Sequence, residues 1–388
     1  MEHSTSAADR SALPKPPTPG FLHRRYARLL ASAGIEVNGK RPWDLRVNDE
    51  RMFARCLRDG TLGFGDAYVD GWWDAPALDE LFARLIAAKL DERAPNIPRA
   101  FATLRAAFTN LQTRYRARAV AETHYDLGNE LYRAMLGETM VYTCAWWAQA
   151  TTLDEAQRAK LDLVCRKLGL ERGMRVLDIG CGWGSFARHA AKHYGARVVG
   201  VTISQEQAAL GRELCAGLDV DIRLQDYRDV DGRFDRIVSL GMFEHVGRKN
   251  YRVYMETARR LLEPDGLFLL HTIGRNDQGA GIDPWVTRYI FPNSEIPSLK
   301  RVSMALDRLF VVEDLHNFGA DYARTLAAWR DNFVHAWPEF AARMPGDFYR
   351  RWTYYLSLFM GVFRARGLQL WQLVLSPEGV PGGYRRPA

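Results

Sequence analysis

Residues 176–184 read Val-Leu-Asp-Ile-Gly-Cys-Gly-Trp-Gly: an apolar run that carries one acid, Asp178, followed by glycine at every second position. Gly180, Gly182 and Gly184 let backbone come close to a ligand, because none of them puts a Cβ in the way. A passage of this kind from strand through turn to helix suits a nucleotide-like ligand, whose polar atoms meet the free N–H groups at the start of the helix. The spacing narrows the choice: a dinucleotide fingerprint runs G-x-G-x-x-G, whereas this run is G-x-G-x-G. Glycine also serves a tight turn for steric reasons alone, so the segment has to be weighed with its surroundings.

Those surroundings are periodic. Apolar, β-branched runs at 197–202, 221–224, 236–240 and 267–272 alternate with helical stretches that start at Gln205 and span 250–262. The alternation predicts a βαβ series, hence an α/β fold with a parallel sheet covered on both faces and ligands at the carboxyl ends of its strands. These ends carry Thr202 and Gln207, then Asp226 and Tyr227, then Glu244 and His245, and finally His271 and Ile273. One mouth collects them all. Glycines spaced G-x-G-x-G after an acid resemble the S-adenosylmethionine pattern of Rossmann-like class I methyltransferases, in which Asp178 would lie near the cationic end of the ligand.

With 388 residues, 47% hydrophobic and 26% charged, the chain can bury a large core and exceeds one usual domain. We expect a disordered tail over 1–20, a smaller, mostly helical N-terminal domain over 21–98, an amphipathic linker helix over 99–122 and the methyltransferase domain over 123–388. Residues 60–73 are dense in glycine and aromatics and end in Trp72 and Trp73, which read as core of a compact module. The first twenty residues lack the apolar stretch of a signal peptide and no run reaches membrane-spanning length, so a cytoplasmic protein is expected. Cys56, Cys144, Cys165, Cys181 and Cys215 are odd in number and irregular in spacing. They fit neither a disulfide framework nor a zinc site and read as free thiols.

The net charge of +7 points to an acidic partner, with a solvated arginine-rich surface as the plain alternative. On a helical wheel Phe101, Leu104, Phe108, Leu111 and Tyr115 form one stripe, flanked by Arg105 and Arg116 on one edge and by Arg114 and Arg118 on the other. Such a helix can lie on lipid, each arginine near an anionic leaflet contributing about 1 kcal/mol, or it can pack on a core as a connector. Nucleic acid is disfavoured because no binding motif accompanies the charge.

Beyond the glycine turn, several motifs resemble those of the cyclopropane-fatty-acyl-phospholipid synthase family, and the similarity runs from about Phe21 to Ser376. They are His124-Tyr125-Asp126-Leu127-Gly128-Asn129, Tyr142-Thr143-Cys144-Ala145-Trp146-Trp147, residues 202–207, Phe243-Glu244-His245-Val246-Gly247, Lys249-Asn250-Tyr251, Tyr289-Ile290-Phe291-Pro292, His316-Asn317-Phe318-Gly319 and Asp321-Tyr322. The resemblance implies an enzyme that adds the methyl of S-adenosylmethionine across a cis double bond of a phospholipid acyl chain. The resulting carbocation closes to a cyclopropane ring when bound bicarbonate removes a proton, and neither metal nor redox cofactor is needed. It further implies cofactor contacts at Tyr142, Thr143, residues 177–184, Thr202 to Gln207, Asp226 and Tyr227, with Gln207 serving the ribose. The candidate bicarbonate ligands are Cys144, Glu244, His271, the Ile273 amide and Tyr322.

As partners, the resemblance and the charge imply an anionic phospholipid bilayer, met peripherally at the inner face of the membrane, and a homodimer. Each candidate also has a plain structural reading: Cys144 as small core, Glu244 as a helix cap, His271 and Tyr322 as paired buried polar groups. Two positions depart from the family. Phe359 stands where some members have a cysteine, which excludes a cysteine nucleophile there, and Ser294 stands where glycine is common. Three other readings stay open: methylation of the alkene without ring closure, small-molecule N- or O-methylation, and lipid binding without catalysis.

Overall fold

The computed structural model describes residues 19–90, 128–277, 282–292 and 294–387. The Phe101 to Tyr115 stripe with its flanking arginines, and His124 to Leu127 of the first motif, lie outside the described residues.

The predicted βαβ series is present. Strand β3 (Arg175–Ile179) leads through the glycine turn into α6 (Ser185–Tyr194), and β4 (Arg197–Thr202) into α7 (Gln205–Leu214). After β5 (Val220–Leu224) come β6 (Phe234–Leu240), α8 (Tyr251–Leu261) and β7 (Leu262–Gly274). The seven strands are ordered β5-β4-β3-β6-β7-β9-β8, parallel from β5 to β7. Strand β9 (Gln369–Ser376) runs antiparallel to both β7 and β8 (Val311–Asn317), an extension that the sequence reading did not assign. One face of the sheet is packed by Leu177, Ile237, Tyr254 and Phe268, the other by Val176, Phe186, Val198 and Leu269. Burial on both faces is why these strands read as continuous apolar runs.

Local signals set the helix starts. After α4 (Asn129–Leu136), Thr152 and Glu155 close a reciprocal capping box on α5 (Leu153–Lys167), and Ser204 accepts from the Gln207 amide to start α7. Between β7 and β8 lie α9 (Pro284–Tyr289) and α10 (Leu299–Leu306), and between β8 and β9 lie α11 (Ala320–Phe340) and α12 (Phe348–Arg364).

Residues 19–90 form α1 (Pro19–Ala31), α2 (Arg51–Val69), α3 (Leu78–Ala87) and a short ribbon of β1 (Arg46–Val47) and β2 (Trp73–Asp74). Their core is continuous with that of α11 and α12 and does not close on itself. Trp73 is fully buried, donates to the Phe64 carbonyl and meets Tyr354 of α12, while Trp72 is covered by the guanidinium groups of Arg51 and Arg55. Arg350 of α12 ties down the ribbon through Tyr68 O at 2.7 Å, Trp73 O at 3.1 Å and Asp74 at 3.1 Å.

Helices α3 and α12 touch backbone to backbone at Gly361, where a Cβ would lie 2.5 Å from Phe82 Cβ and 2.7 Å from the Ala83 amide nitrogen. Gly361→Ala should therefore force the helices apart and cost about 1–3 kcal/mol, read as a drop of several degrees in the thermal midpoint. An unchanged midpoint would show that this approach is not tight.

Candidate active site

A cleft opens at the carboxyl ends of β3, β4 and β6. It is lined by Tyr142, Thr143, Asp178, Gly180, Gly182, Thr202, Gln207, Asp226 and Tyr227, all of them expected around the cofactor. The turn is pinned to β4, since the amides of Gly180 and Cys181 both donate to Val201 O, at 2.9 and 3.0 Å. Its glycines do different work. A Cβ at Gly180 would sit 2.7 Å from the Met242 side chain, whereas one at Gly182, with φ +54°, would meet no protein atom within 4 Å. The missing side chain at Gly182 is thus open space in the cleft. Gly184 does not line the cleft; it is the left-handed N-cap of α6, with Cys215 Sγ 3.0 Å from where its Cβ would stand.

Polar groups in the cleft are held by neighbours. Gln207 Oε1 accepts from the Thr202 hydroxyl at 2.9 Å, which fixes the side-chain amide at the cleft. The Asp226 carboxylate is engaged by Arg228. Asp178 is buried and its Oδ2 has no hydrogen-bond partner among the described residues. Burial raises its pKa from the ordinary carboxylate range, and the nearby Lys160 opposes that rise.

Residues 141–147 form the wall between this cleft and a second group of polar side chains. Helix α5 clamps one end: Gln157 donates to Thr143 O at 2.9 Å and Lys160 to Thr143 Oγ1 at 2.9 Å. Helix α11 clamps the other, Thr325 Oγ1 accepting from the Ala145 amide and the Trp147 indole, and Asp321 from the Trp147 amide. Tyr142 meets Tyr355 of α12 hydroxyl to hydroxyl at 3.0 Å.

That second group is Cys144 of this segment together with Glu244, His271 and Tyr322, all buried. The expected residues come from four separate elements; Tyr322 sits close enough to Cys144 and Glu244 to interact with them electrostatically, and His271 lies two residues before Ile273 on β7. Glu244 belongs to a single turn after β6. Its Oε1 accepts from the Ile273 amide at 2.6 Å, its Oε2 has no partner among the described residues, and burial pushes its pKa up to about 7.

His271 faces Gln372 across the β7–β9 ladder, and its Nδ1 accepts from Gln372 Nε2 at 3.2 Å. Burial keeps the ring neutral, so with Nδ1 accepting, the proton lies on Nε2, which is buried without a partner among the described residues. Cys144 stays a thiol, raised by burial and donating to Ala145 O.

One assignment changes. The Ile273 amide, expected to donate to an anion, already donates to Glu244, so in this structure it orients the carboxylate. The cluster still fits an anion that also carries a hydroxyl: Nε2–H of His271, the Tyr322 hydroxyl and a Glu244 carboxyl that titrates near neutrality are donors, and Glu244 Oε2 is an unused acceptor. No three potential metal ligands group together among the described residues.

At the two departures, Ser294 Oγ hydrogen-bonds His245 Nδ1 at 3.1 Å and the Glu295 amide donates to Glu244 O at 2.9 Å, so the loop is tied to the Glu244 turn. Phe359 packs edge-on to Tyr355 and Phe291. The sequence reading missed Lys160 and Tyr355. Lys160 had a signal: it falls on the same helical face as Leu153, Ala156 and Val164, an apolar face where a lysine is out of place.

A sheet in this order, parallel from β5 to β7, with a glycine turn after β3 and an acid beside it, defines a class I S-adenosylmethionine-dependent methyltransferase. The comparisons agree. A family model described as mycolic acid cyclopropane synthetase matches residues 112–373. The cyclopropane-fatty-acyl-phospholipid synthase of Escherichia coli strain K12 is 50% identical over 366 residues, 94% of this chain and 95% of its own.

Among solved structures, the cyclopropane synthase MmaA2 from Mycobacterium tuberculosis superposes with a TM-score of 0.64 at 32% identity, covering 69% of this chain and 99% of that one. The mycolic acid cyclopropane synthase CmaA1, complexed with SAH and CTAB, gives 0.62 at 32% identity over 66% of this chain and 97% of its own. The chain belongs to the mycolic acid cyclopropane synthetase family.

Proposed function

We propose that this enzyme converts the cis double bond of an unsaturated phospholipid acyl chain into a cyclopropane ring, taking the methylene from S-adenosylmethionine and using bicarbonate as base. The observation that carries the reading is the buried cluster beside the cofactor cleft, with Glu244 Oε2 and the Nε2–H of His271 both lacking a partner among the described residues. The orphaned polar atoms sit in a site where leaving them unmatched costs about 1–3 kcal/mol each, which a bound anion would offset. When bound, S-adenosylmethionine would supply an electrophilic methyl and bicarbonate the proton acceptor.

The chain's own residues do the rest. Cys144 and Tyr322, both pushed toward their neutral forms, add no negative charge that would repel an anion. His271 donates through Nε2, and Glu244, held by the Ile273 amide, receives or returns a proton near neutral pH. Phe291, Tyr355 and Phe359 give an apolar wall suited to an acyl chain.

The unusually basic composition and the arginine-flanked stripe at 101–115 support docking at an anionic bilayer. Among the described residues no helix is long and apolar enough to cross one.

The test is incubation with vesicles of a monounsaturated phospholipid and S-adenosylmethionine, followed by mass spectrometry of the acyl chains. The expected product is a ring-bearing chain heavier by one CH2. A methyl or methylene branch would replace ring closure with simple methylation, and no modified lipid would remove the lipid reading altogether. In carbonate-depleted buffer the rate should fall at least several-fold and recover when bicarbonate is added. Full activity under rigorous depletion would transfer the base to a protein side chain.

A further inference from the structure

Lys160 lies in the middle of α5 with no solvent exposure, and it lines the same cleft as Asp178. A buried ammonium is costly unless a counter-charge and hydrogen bonds accompany it. One hydrogen bond is evident, to Thr143 Oγ1 at 2.9 Å. The ionisable groups that feel its charge come from four directions: Asp178 on β3, Cys144 on the 141–147 wall, His271 on β7 and His189 on α6.

Only one of these can be its counter-charge. Burial holds the Cys144 thiol and both imidazoles in their neutral forms, which leaves the Asp178 carboxylate, itself buried with Oδ2 unpartnered. Burial alone drives both members of the pair toward neutrality, the acid upward and the amine downward, and each opposes the shift of the other.

We propose that Lys160 is a positioning residue that keeps Asp178 ionised for the cationic end of the cofactor while holding Thr143 in the cleft wall. The proposal rests on the reading of the cleft as the S-adenosylmethionine site. Without the ammonium, Asp178 would keep its proton at neutral pH, and the ligand would find a neutral acid in place of a carboxylate.

Calorimetric titration of the full-length protein with S-adenosylmethionine between pH 6.5 and 8.5 tests it. For the parent, whose Asp178 is raised only to about 7, affinity should be nearly level above that pH. For Lys160→Met it should be up to about tenfold weaker than the parent at neutral pH and recover as pH rises further, one pKa unit being a tenfold change. Lys160→Arg should restore the parent profile. A Lys160→Met profile parallel to that of the parent would overturn the proposal with the cleft reading intact, whereas a parent that binds no S-adenosylmethionine would overturn both.

Should Lys160→Met not fold, Asp178→Asn decides through its thermal midpoint. It leaves Lys160 with no counter-charge, so the folded-state pKa of the lysine drops further and the unfolded chain holds more protons in this range. Stability of Asp178→Asn relative to the parent should then rise with pH. A midpoint difference that does not vary with pH would show that the two charges are not paired.

Discussion

Glu244→Gln is expected to lower turnover on phospholipid vesicles by about 10²-fold or more, with affinity for S-adenosylhomocysteine staying within about threefold of the parent. Glu244 does not line the cofactor cleft, and its Oε1 is held by the Ile273 amide, so the loss falls on positioning and proton handling after the cofactor has bound. The same variant should gain stability above neutral pH.

The sign follows from burial. The folded-state pKa of Glu244 is raised to about 7, against about 4.3 in an unfolded chain, so the folded protein holds the extra proton between these values and its stability falls as pH rises through them. Glutamine has no proton to lose. By pH 8 the variant should be more stable than the parent by up to about 3 kcal/mol, a gain paired with a loss of function. Steady-state kinetics, calorimetry and thermal melts at pH 5 and pH 8 check the three parts. A variant that lost cofactor binding alone would move Glu244 into the cofactor site and end its assignment to the polar cluster.

Gly182→Val is expected to weaken S-adenosylmethionine binding on the order of 10²-fold. A side chain there meets no protein atom within 4 Å, so it projects into the open cleft and competes with the ligand for space. The fold should bear only the backbone cost of a non-glycine residue at φ +54°, about 1–2 kcal/mol. Gly180→Ala is the contrasting variant. Its Cβ would stand 2.7 Å from Met242, so its damage should appear first in the thermal midpoint. Unaltered calorimetric affinity in Gly182→Val would mean that the ligand does not lie over this turn.

The parallel part of the sheet was legible because buried strands and crossover helices impose a period and a punctuation that survive in one dimension. Each of β3 to β7 overlaps an expected apolar run, and all the strand-end polar residues named from the sequence lie at one end of the sheet. The pairing of β9 between β7 and β8 was not legible, since nothing local in residues 369–376 says which strands will flank them.

The amino-acid order by itself determined which chemistry the cleft can hold: the Asp178 to Gly184 run dictates a turn that few ligands fit, because spacing and missing side chains are local properties. Tertiary structure alone decided how the second site is built. The Ile273 amide goes to Glu244, His271 takes its tautomer from Gln372 one hundred and one residues away, and Lys160 on α5 finds Thr143 in the 141–147 segment and Asp178 on β3. Such partnerships are made across strands and helices distant in sequence, and the protonation states that result depend on burial, which a group acquires only when the whole chain has closed around it.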